Sequence, residues 1–280
     1  MKRSTKLTYI WIISIILMAA FAVYQRATGP TYPVSGKVAI NSEEIKYKLL
    51  RSSDSRGDAE VKITVPNKSI SGKVTLKRYK SHDEWTTSDM KRSGDNLIAY
   101  LPHQNPAGKI IYSINLVDQS GAQHPLSEKP VVLRFKGEVP LWILIPHVLF
   151  IFLAYSFSTA TAFGAFSNTM NLNKMALLTS IFLFLAGIIL GPIMQKYAFG
   201  AFWTGWPIAD GSSLNFLKAG DLTDNKTLLA LIMWVIAYFK TRNGKHGKAW
   251  VFVAAITLIA VFLIPHSVLG SEIDYTKMPK

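Results

Sequence analysis

Apolar residues in this chain form long blocks rather than periodic stripes. Five blocks reach or approach the roughly 20 residues that a helix needs to cross a bilayer core, and they lie at about 7–24, 139–163, 175–197, 223–239 and 250–269. The fourth block is wholly apolar only over residues 228–239, so it needs the polar turn before it to complete a span. The pattern therefore predicts five transmembrane helices.

The region between the first and second blocks alternates between polar and apolar residues, as half-buried strands do. Within 109–117, for example, Ile110, Tyr112, Ile114 and Leu116 would share one face. The candidate strands are 32–40, 45–50, 59–65, 72–79, 96–101, 109–117 and 131–135. Seven short strands in roughly 105 residues are typical of an immunoglobulin-like or fibronectin-like β-sandwich. The expected fold class is thus an α+β membrane protein with this sandwich inserted between helices 1 and 2.

These patterns divide the chain into four parts. Residues 1–24 are expected to form an N-terminal signal-anchor helix, and residues 25–138 the β-sandwich domain. Residues 139–270 are expected to form a four-helix transmembrane bundle with an outer loop at 196–222. Residues 271–280 are expected to form an outer C-terminal tail.

Charge follows the same division. Residues 25–139 contain 18 of the 31 basic and 12 of the 17 acidic residues, whereas Lys174 is the only charged residue between Pro140 and Gln195. One part of the chain is therefore suited to water and another to lipid. The formal net charge of +14 is explained by topology signals and a solvated surface, so no nucleic-acid partner is expected. The expected partners are the lipid bilayer and other membrane or periplasmic proteins.

The short basic segments predict the orientation, because cytoplasmic loops are enriched in Lys and Arg. Lys2, Arg3 and Lys6 precede the first helix, and a basic loop at 240–248 separates the fourth helix from the fifth. Five spans place both segments on one side. We therefore expect a multi-pass protein of a bacterial-type inner membrane, with a cytoplasmic N-terminus and with the large domain and the C-terminus outside.

The first helix has a competing interpretation. A basic start, an apolar run and the sequence Ala20-Phe21-Ala22 also resemble a cleavable secretory signal. The apolar run is long for such a signal, which favours an uncleaved anchor.

Several kinds of chemistry are excluded. The chain has no cysteine, so it has no disulfide, thiolate metal site or cysteine nucleophile. It also lacks a Walker A sequence, a GxGxxG loop and a GxSxG elbow. Catalytic activity of its own is therefore not the favoured expectation.

Two histidines at membrane depth are the main candidates for chemistry. His147 follows Pro146 in the second helix, and His266 follows Pro265 near the end of the fifth. An ionisable group at such a depth is a functional hypothesis by default, and both histidines are expected in the outer half of the membrane. They could be the axial ligands of a b-type haem, because haem iron accepts neutral imidazole.

The outer loop and the tail add further polar and aromatic groups. A divalent metal could bind Asp221, Asp224 and Glu272 together with the two histidines, although no HExxH-type spacing is present. Trp203 and Trp206 suit the aromatic belt at the membrane interface. The Gly187-x-x-x-Gly191 spacing favours close helix packing in the third helix.

Two functions follow from these features. The favoured one is an accessory or structural subunit of the inner membrane, which binds partner proteins through its β-sandwich and outer loops. The alternative is an electron-transfer subunit that carries a b-type haem or a metal ion between His147 and His266.

Overall fold

The structure is a computed structural model that describes residues 3–41, 43–54, 56–202, 222–242, 247–265 and 272–277. It contains helices and β-sheets, as expected for an α+β protein. The chain divides into two compact units. A helical unit comprises Met1–Pro30, Val139–Tyr197 and Ala201–Ser271, and a β unit comprises Thr31–Glu138, Ala198–Gly200 and Glu272–Lys280.

The helical unit contains the long helices. They are α1 (Arg3–Thr28), α2 (Leu141–Ser167), α3 (Leu172–Leu183), which continues through a π-helical segment (Phe184–Leu190) into α4 (Gly191–Phe199), α5 (Leu222–Arg242) and α6 (Gly247–Leu263). Because α3, the π-helical segment and α4 form one helix of 28 residues, the described chain has five helices in this unit.

Three of these helices are long and apolar enough to cross a membrane: Arg3–Thr28, Leu141–Ser167 and Leu172–Phe199. Gly247–Leu263 is apolar but shorter. Many large apolar side chains face outward from the unit, among them Ile16, Phe166 and Ile256, which are 61%, 84% and 65% exposed. Apolar side chains turned outward on apolar helices are what a lipid environment requires, so the unit is compatible with a membrane protein.

Side-chain contacts identify the two ends of the helical unit. At one end, Arg3 donates to the carbonyl oxygen of Thr169 through Nε at 3.2 Å and Nη2 at 3.0 Å, and Lys248 Nζ donates to the side chain of Asn168. At the other end, near Thr28, Gln25 donates to the carbonyl oxygen of Ile264. We call these the Arg3 end and the Thr28 end. Arg3 and Lys248, the described members of the two basic segments that make these contacts, thus lie at the same end of the unit.

The core of the helical unit combines many small residues with a few large rings, of which Trp234 is the most buried. Trp234 is fully buried, and alanines such as Ala154, Ala176, Ala230 and Ala254 surround the same core. Small residues allow helix backbones to approach closely where lipid supplies no hydrophobic drive for association.

The described part of the β unit contains eleven strands. They are β1 (Val34–Ile40), β2 (Glu43–Leu49), β3 (Ser52–Ser53), β4 (Ala59–Thr64), β5 (Ser71–Arg78), β6 (Thr86–Asp89), β7 (Lys91–Ser93), β8 (Asn96–Leu101), β9 (Lys109–Val117), β10 (Gln123–Pro125) and β11 (Val131–Phe135). The seven predicted strands are all present, with ends that agree within two residues. The four short strands β3, β6, β7 and β10 were missed, because each is too short to show alternation.

The strands form three sheets. β1 pairs with β2, β4 and β7 flank β8, and a larger sheet has the order β3-β11-β9-β5-β6 with β10 beside β9. Alternate residues of β9 are buried, and these are the predicted Ile110, Tyr112, Ile114 and Leu116. One core cluster draws side chains from all three sheets.

The described part of the C-terminal tail belongs to the β unit. Ile273 N–H donates to the Ala107 carbonyl at 3.1 Å, and Thr276 N–H donates to the Lys80 carbonyl at 3.1 Å. The Glu272 carboxylate accepts hydrogen bonds from both Lys80 and Lys109. The tail is therefore packed against the strands over residues 272–277.

Candidate functional site

A cavity of about 340 Å³ lies among α1, α2, α4 and α6 of the helical unit. Its lining is mostly apolar and includes Met18, Phe21, Ile151, Phe152, Met194 and Phe262. Val148 and Phe152 also line it and are 37% and 36% exposed, so the cavity reaches the surface of the unit. Its size lies at the lower end of the range of ligand pockets, about 300–1,000 Å³.

The polar lining is concentrated toward the Thr28 end. Gln25 and Arg26 come from the last turn of α1, and His147 comes from the second turn of α2. Gln25 Nε2 lies 3.2 Å from the carbonyl oxygen of Ile264, which also accepts a hydrogen bond from Lys226 Nζ at 2.6 Å. The cavity therefore has a polar mouth and an apolar interior.

The ring of His147 has a defined orientation. Its Nδ1 lies 3.1 Å from the carbonyl oxygen of Ala186, and because a carbonyl can only accept, Nδ1–H is the donor. In the neutral ring this leaves the Nε2 lone pair as an acceptor or ligand atom. A histidine that ligates a metal usually holds its other nitrogen in this way.

The carbonyl that holds His147 belongs to the π-helical segment. Ala186 also accepts the backbone N–H of Gly191, a bond across five residues. Pro192 follows and has no N–H of its own to donate, and interruptions of this kind often accompany functional sites. The π-helical segment thus supplies the acceptor that orients the histidine.

Tyr155 is the second unusual polar group of the cavity. Its side chain lines the cavity, it is 3% exposed, and its hydroxyl has no hydrogen-bond partner among the described residues. The ring is held by Phe21 at 4.9 Å and Phe262 at 5.8 Å between centroids. A buried hydroxyl without a partner costs about 1–3 kcal/mol, so the packing of the ring offsets that cost.

The other candidate ligands are only partly described. His266, Asp221, Trp203 and Trp206 lie outside the described residues. Asp224 lies within α5, but its side chain also lies outside the description. The haem and metal hypotheses that join these residues to His147 therefore stay predictions.

Glu272 has a definite environment in the β unit, where Lys80 and Lys109 bind its carboxylate. Burial acts to raise the pKa of Glu272, but the hydrogen bonds and charges of the two lysines hold this pKa below its usual range. The carboxylate thus belongs to an ion-paired cluster with these two lysines.

Among the described residues, no group of three or more His, Asp and Glu side chains could hold a metal ion.

The histidines of the β unit also have structural environments. His124 lies on β10, where its Nε2 is 2.9 Å from an Asp118 carboxylate oxygen. The His103 ring meets Phe135 edge-on at 5.5 Å. Hydrogen bonds from the Ser120 and His124 side chains hold the pKa of Asp118 well below its usual range.

The two glycines singled out for helix packing differ in their surroundings. A Cβ at Gly187 would lie 2.3 Å from Cγ2 of Thr227, so α5 approaches the π-helical segment at this point. A Cβ at Gly191 would meet only the Ala186 carbonyl oxygen of its own helix, at 3.2 Å.

Sequence reasoning missed several residues of the cavity. Gln25 and Arg26 look like an ordinary polar helix end, and Tyr155 looks like one more aromatic residue in an apolar block. Only Pro192 beside Gly191 gave a local signal of an irregular helix.

A scan of the chain against protein-family models finds no match, and a search of curated proteins finds no significant match.

Proposed function

We propose that this chain is an accessory or structural subunit of a bacterial-type inner membrane. In this proposal five helices span the membrane, and the β unit is an extracytoplasmic immunoglobulin-like sandwich that binds partner proteins. Two observations support this arrangement. The helices carry exposed apolar side chains, and the strands form a compact unit of their own.

The observation that carries the proposal is an open sheet edge at β6. All four residues of this strand are exposed, and β6 pairs only with β5 among the described residues. Trp85 lies directly before the strand and is 44% exposed, with Lys77 Nζ 5.4 Å from its ring centre. An open edge beside an aromatic anchor suits recognition by strand addition.

The register identifies the groups that would face a partner. Met90 N–H donates to the Gly72 carbonyl, so the pairs Gly72–Met90 and Val74–Ser88 are the hydrogen-bonded ones. Thr87 lies opposite Thr75 in a non-hydrogen-bonded pair, consistent with the 2.8 Å between their hydroxyls. The N–H of Thr87 therefore points away from β5 and is available to donate to a partner strand.

The test isolates that N–H. Thr87→Pro removes the outward donor without removing a backbone bond to β5, whereas Thr87→Val keeps the donor. Both variants lose the hydroxyl contact with Thr75, so Thr87→Val is the matched control. We expect the tagged full chain to co-purify in mild detergent with a stoichiometric partner, and Thr87→Pro but not Thr87→Val to lose it. A photo-crosslinker at Trp85 should form a specific adduct that is absent when the crosslinker replaces Glu60 on β4. A monomer without partners would contradict the proposal, and retention by Thr87→Pro would exclude β6 as the site.

A second candidate function is favoured by the orientation of His147. Its Nδ1 is held by Ala186, which leaves Nε2 as a potential ligand to the iron of a b-type haem. In this alternative the chain is a membrane electron-transfer subunit, and His266 supplies the other axial ligand. A reduced-minus-oxidised difference spectrum should then show b-type bands that disappear in His147→Ala and in His266→Ala. A colourless protein would eliminate it.

A further inference from the structure

We propose that the cavity among α1, α2, α4 and α6 is a binding site for one anionic phospholipid, with the headgroup at Arg26 and His147 and an acyl chain along Met18, Ile151 and Phe262. All of these residues line the cavity and belong to the helical unit. The inference is independent of the partner-binding proposal.

The first argument is the distribution of polarity along the cavity. Arg26 and Gln25 lie at the Thr28 end of α1, and Met18 lies eight residues deeper in the same helix. At 1.5 Å per residue that distance is roughly 12 Å, most of one leaflet of a core about 30 Å thick. A polar mouth above an apolar channel of this depth matches a headgroup above an acyl chain.

The second argument is access. Val148 and Phe152 line the cavity and are also exposed at the surface of the unit. On a membrane-spanning helix this surface faces lipid, so a phospholipid can enter sideways without leaving the bilayer. A water-soluble ligand of the same charge would bind at the polar mouth and would make no use of the apolar interior.

The third argument is hydrogen-bonding chemistry. A guanidinium binds phosphate through paired, charge-assisted hydrogen bonds, which suits Arg26 to a phosphodiester. The Nε2 of neutral His147 is an acceptor, because its Nδ1–H donates to Ala186, so it can accept from a headgroup hydroxyl such as that of phosphatidylglycerol.

The experiment measures lipid binding to the full-length protein in detergent by native mass spectrometry. Phosphatidylglycerol and phosphatidylcholine with identical acyl chains are added in turn. We expect one phosphatidylglycerol to be retained, and phosphatidylcholine to bind about tenfold more weakly.

Three variants test the placement. Arg26→Gln should reduce the preference for phosphatidylglycerol about tenfold, because it removes the charge at the mouth. Lys196→Gln removes one positive charge from α4 near the same end, outside the cavity lining, and should leave the preference unchanged. Ala22→Phe fills the channel below the mouth and should abolish retention of either lipid.

Several outcomes would overturn the proposal. Equal retention of the two lipids, or equal effects of Arg26→Gln and Lys196→Gln, would show general charge attraction rather than a site. Unchanged retention by a folded Ala22→Phe would place the lipid elsewhere. Displacement of the lipid by millimolar glycerol phosphate would show that the site binds only the headgroup and not an acyl chain. A haem spectrum from the purified protein would assign the cavity to that cofactor instead. Failure of the partner-binding tests would affect none of these measurements.

Discussion

The Nδ1 atom of His147 lies 3.1 Å from the carbonyl oxygen of Ala186, on a helix segment 39 residues farther along the chain. This bond joins α2 to the π-helical segment. Loss of this hydrogen bond in His147→Ala should destabilise the protein by about 0.6 kcal/mol and at most about 1.7 kcal/mol, the range for hydrogen bonds between helices in membranes. Loss of the ring's packing adds to that cost. Unfolding in detergent measures the change.

The matched variant His147→Asn provides the control for that prediction. The Asn Nδ2 can occupy nearly the position of the histidine Nδ1 and can donate to the same carbonyl, so stability should return most of the way to that of the parent. Equal losses in the alanine and asparagine variants would mean that ring packing, not the hydrogen bond, stabilises this contact.

Close approach of α5 at Gly187 gives a second prediction. Because a Cβ there would lie 2.3 Å from Cγ2 of Thr227, Gly187→Ala should destabilise the protein by about 1–3 kcal/mol through overpacking. Thr227→Ser removes the obstructing methyl, so the double variant should recover most of that loss. Additive effects of the two substitutions in thermal unfolding would contradict this contact.

A third prediction concerns the tail and pH. Burial acts to raise the pKa of Glu272, but Lys109 and Lys80 hold that pKa below its usual value, so the ion-paired cluster gives its full stability above the unfolded pKa of about 4.3. The stability is lost as the pH falls through the folded pKa. The tail should therefore detach as the pH falls from the unfolded pKa of about 4.3 through the lower folded pKa, and Glu272→Gln should detach it at pH 7.

Spin labelling can follow this release, because the chain has no native cysteine to interfere. A nitroxide on Lys277→Cys should become mobile in acid in the parent and at neutral pH in Glu272→Gln. Glu44→Gln removes the carboxylate of an exposed pair with Lys37 and should leave the label immobile at pH 7. An immobile label in Glu272→Gln would mean that the backbone bonds at Ile273 and Thr276 hold the tail alone.

The same lack of cysteine allows a direct test of orientation. Arg3, Lys174 and Lys248 all belong to helix starts at the Arg3 end, which the positive-inside rule assigns to the cytoplasm. In intact cells, a membrane-impermeant maleimide should label Glu128→Cys in the β unit and leave Lys174→Cys unlabelled until the cells are broken. The reverse pattern would invert the topology.

Local patterns in the sequence were sufficient to predict the helices and the seven longer strands, but not the four short strands. Alternation of period two marked β9 and six other strands because one face of each strand lies in a core and the other does not. Long uncharged blocks marked the helices because lipid excludes charge over the length of a span. Both signals, the alternation and the uncharged blocks, are local, so they can be recognised without knowing which elements pack together.

Contacts between distant segments could not be predicted in this way, because they depend on how whole elements pack together. Gln25 and Ile264 are 239 residues apart, and Lys109 and Glu272 are 163 residues apart. The hydrophobic periodicity of a single strand or helix contains no information about such distant pairs. The cavity exists because four helices from separate parts of the chain leave a gap between them. Tyr155 is unusual only because the packed structure buries its hydroxyl without a partner among the described residues. His147 could be singled out in advance because an imidazole at membrane depth is costly wherever it packs, but its donor to Ala186 depends on where the π-helical segment lies.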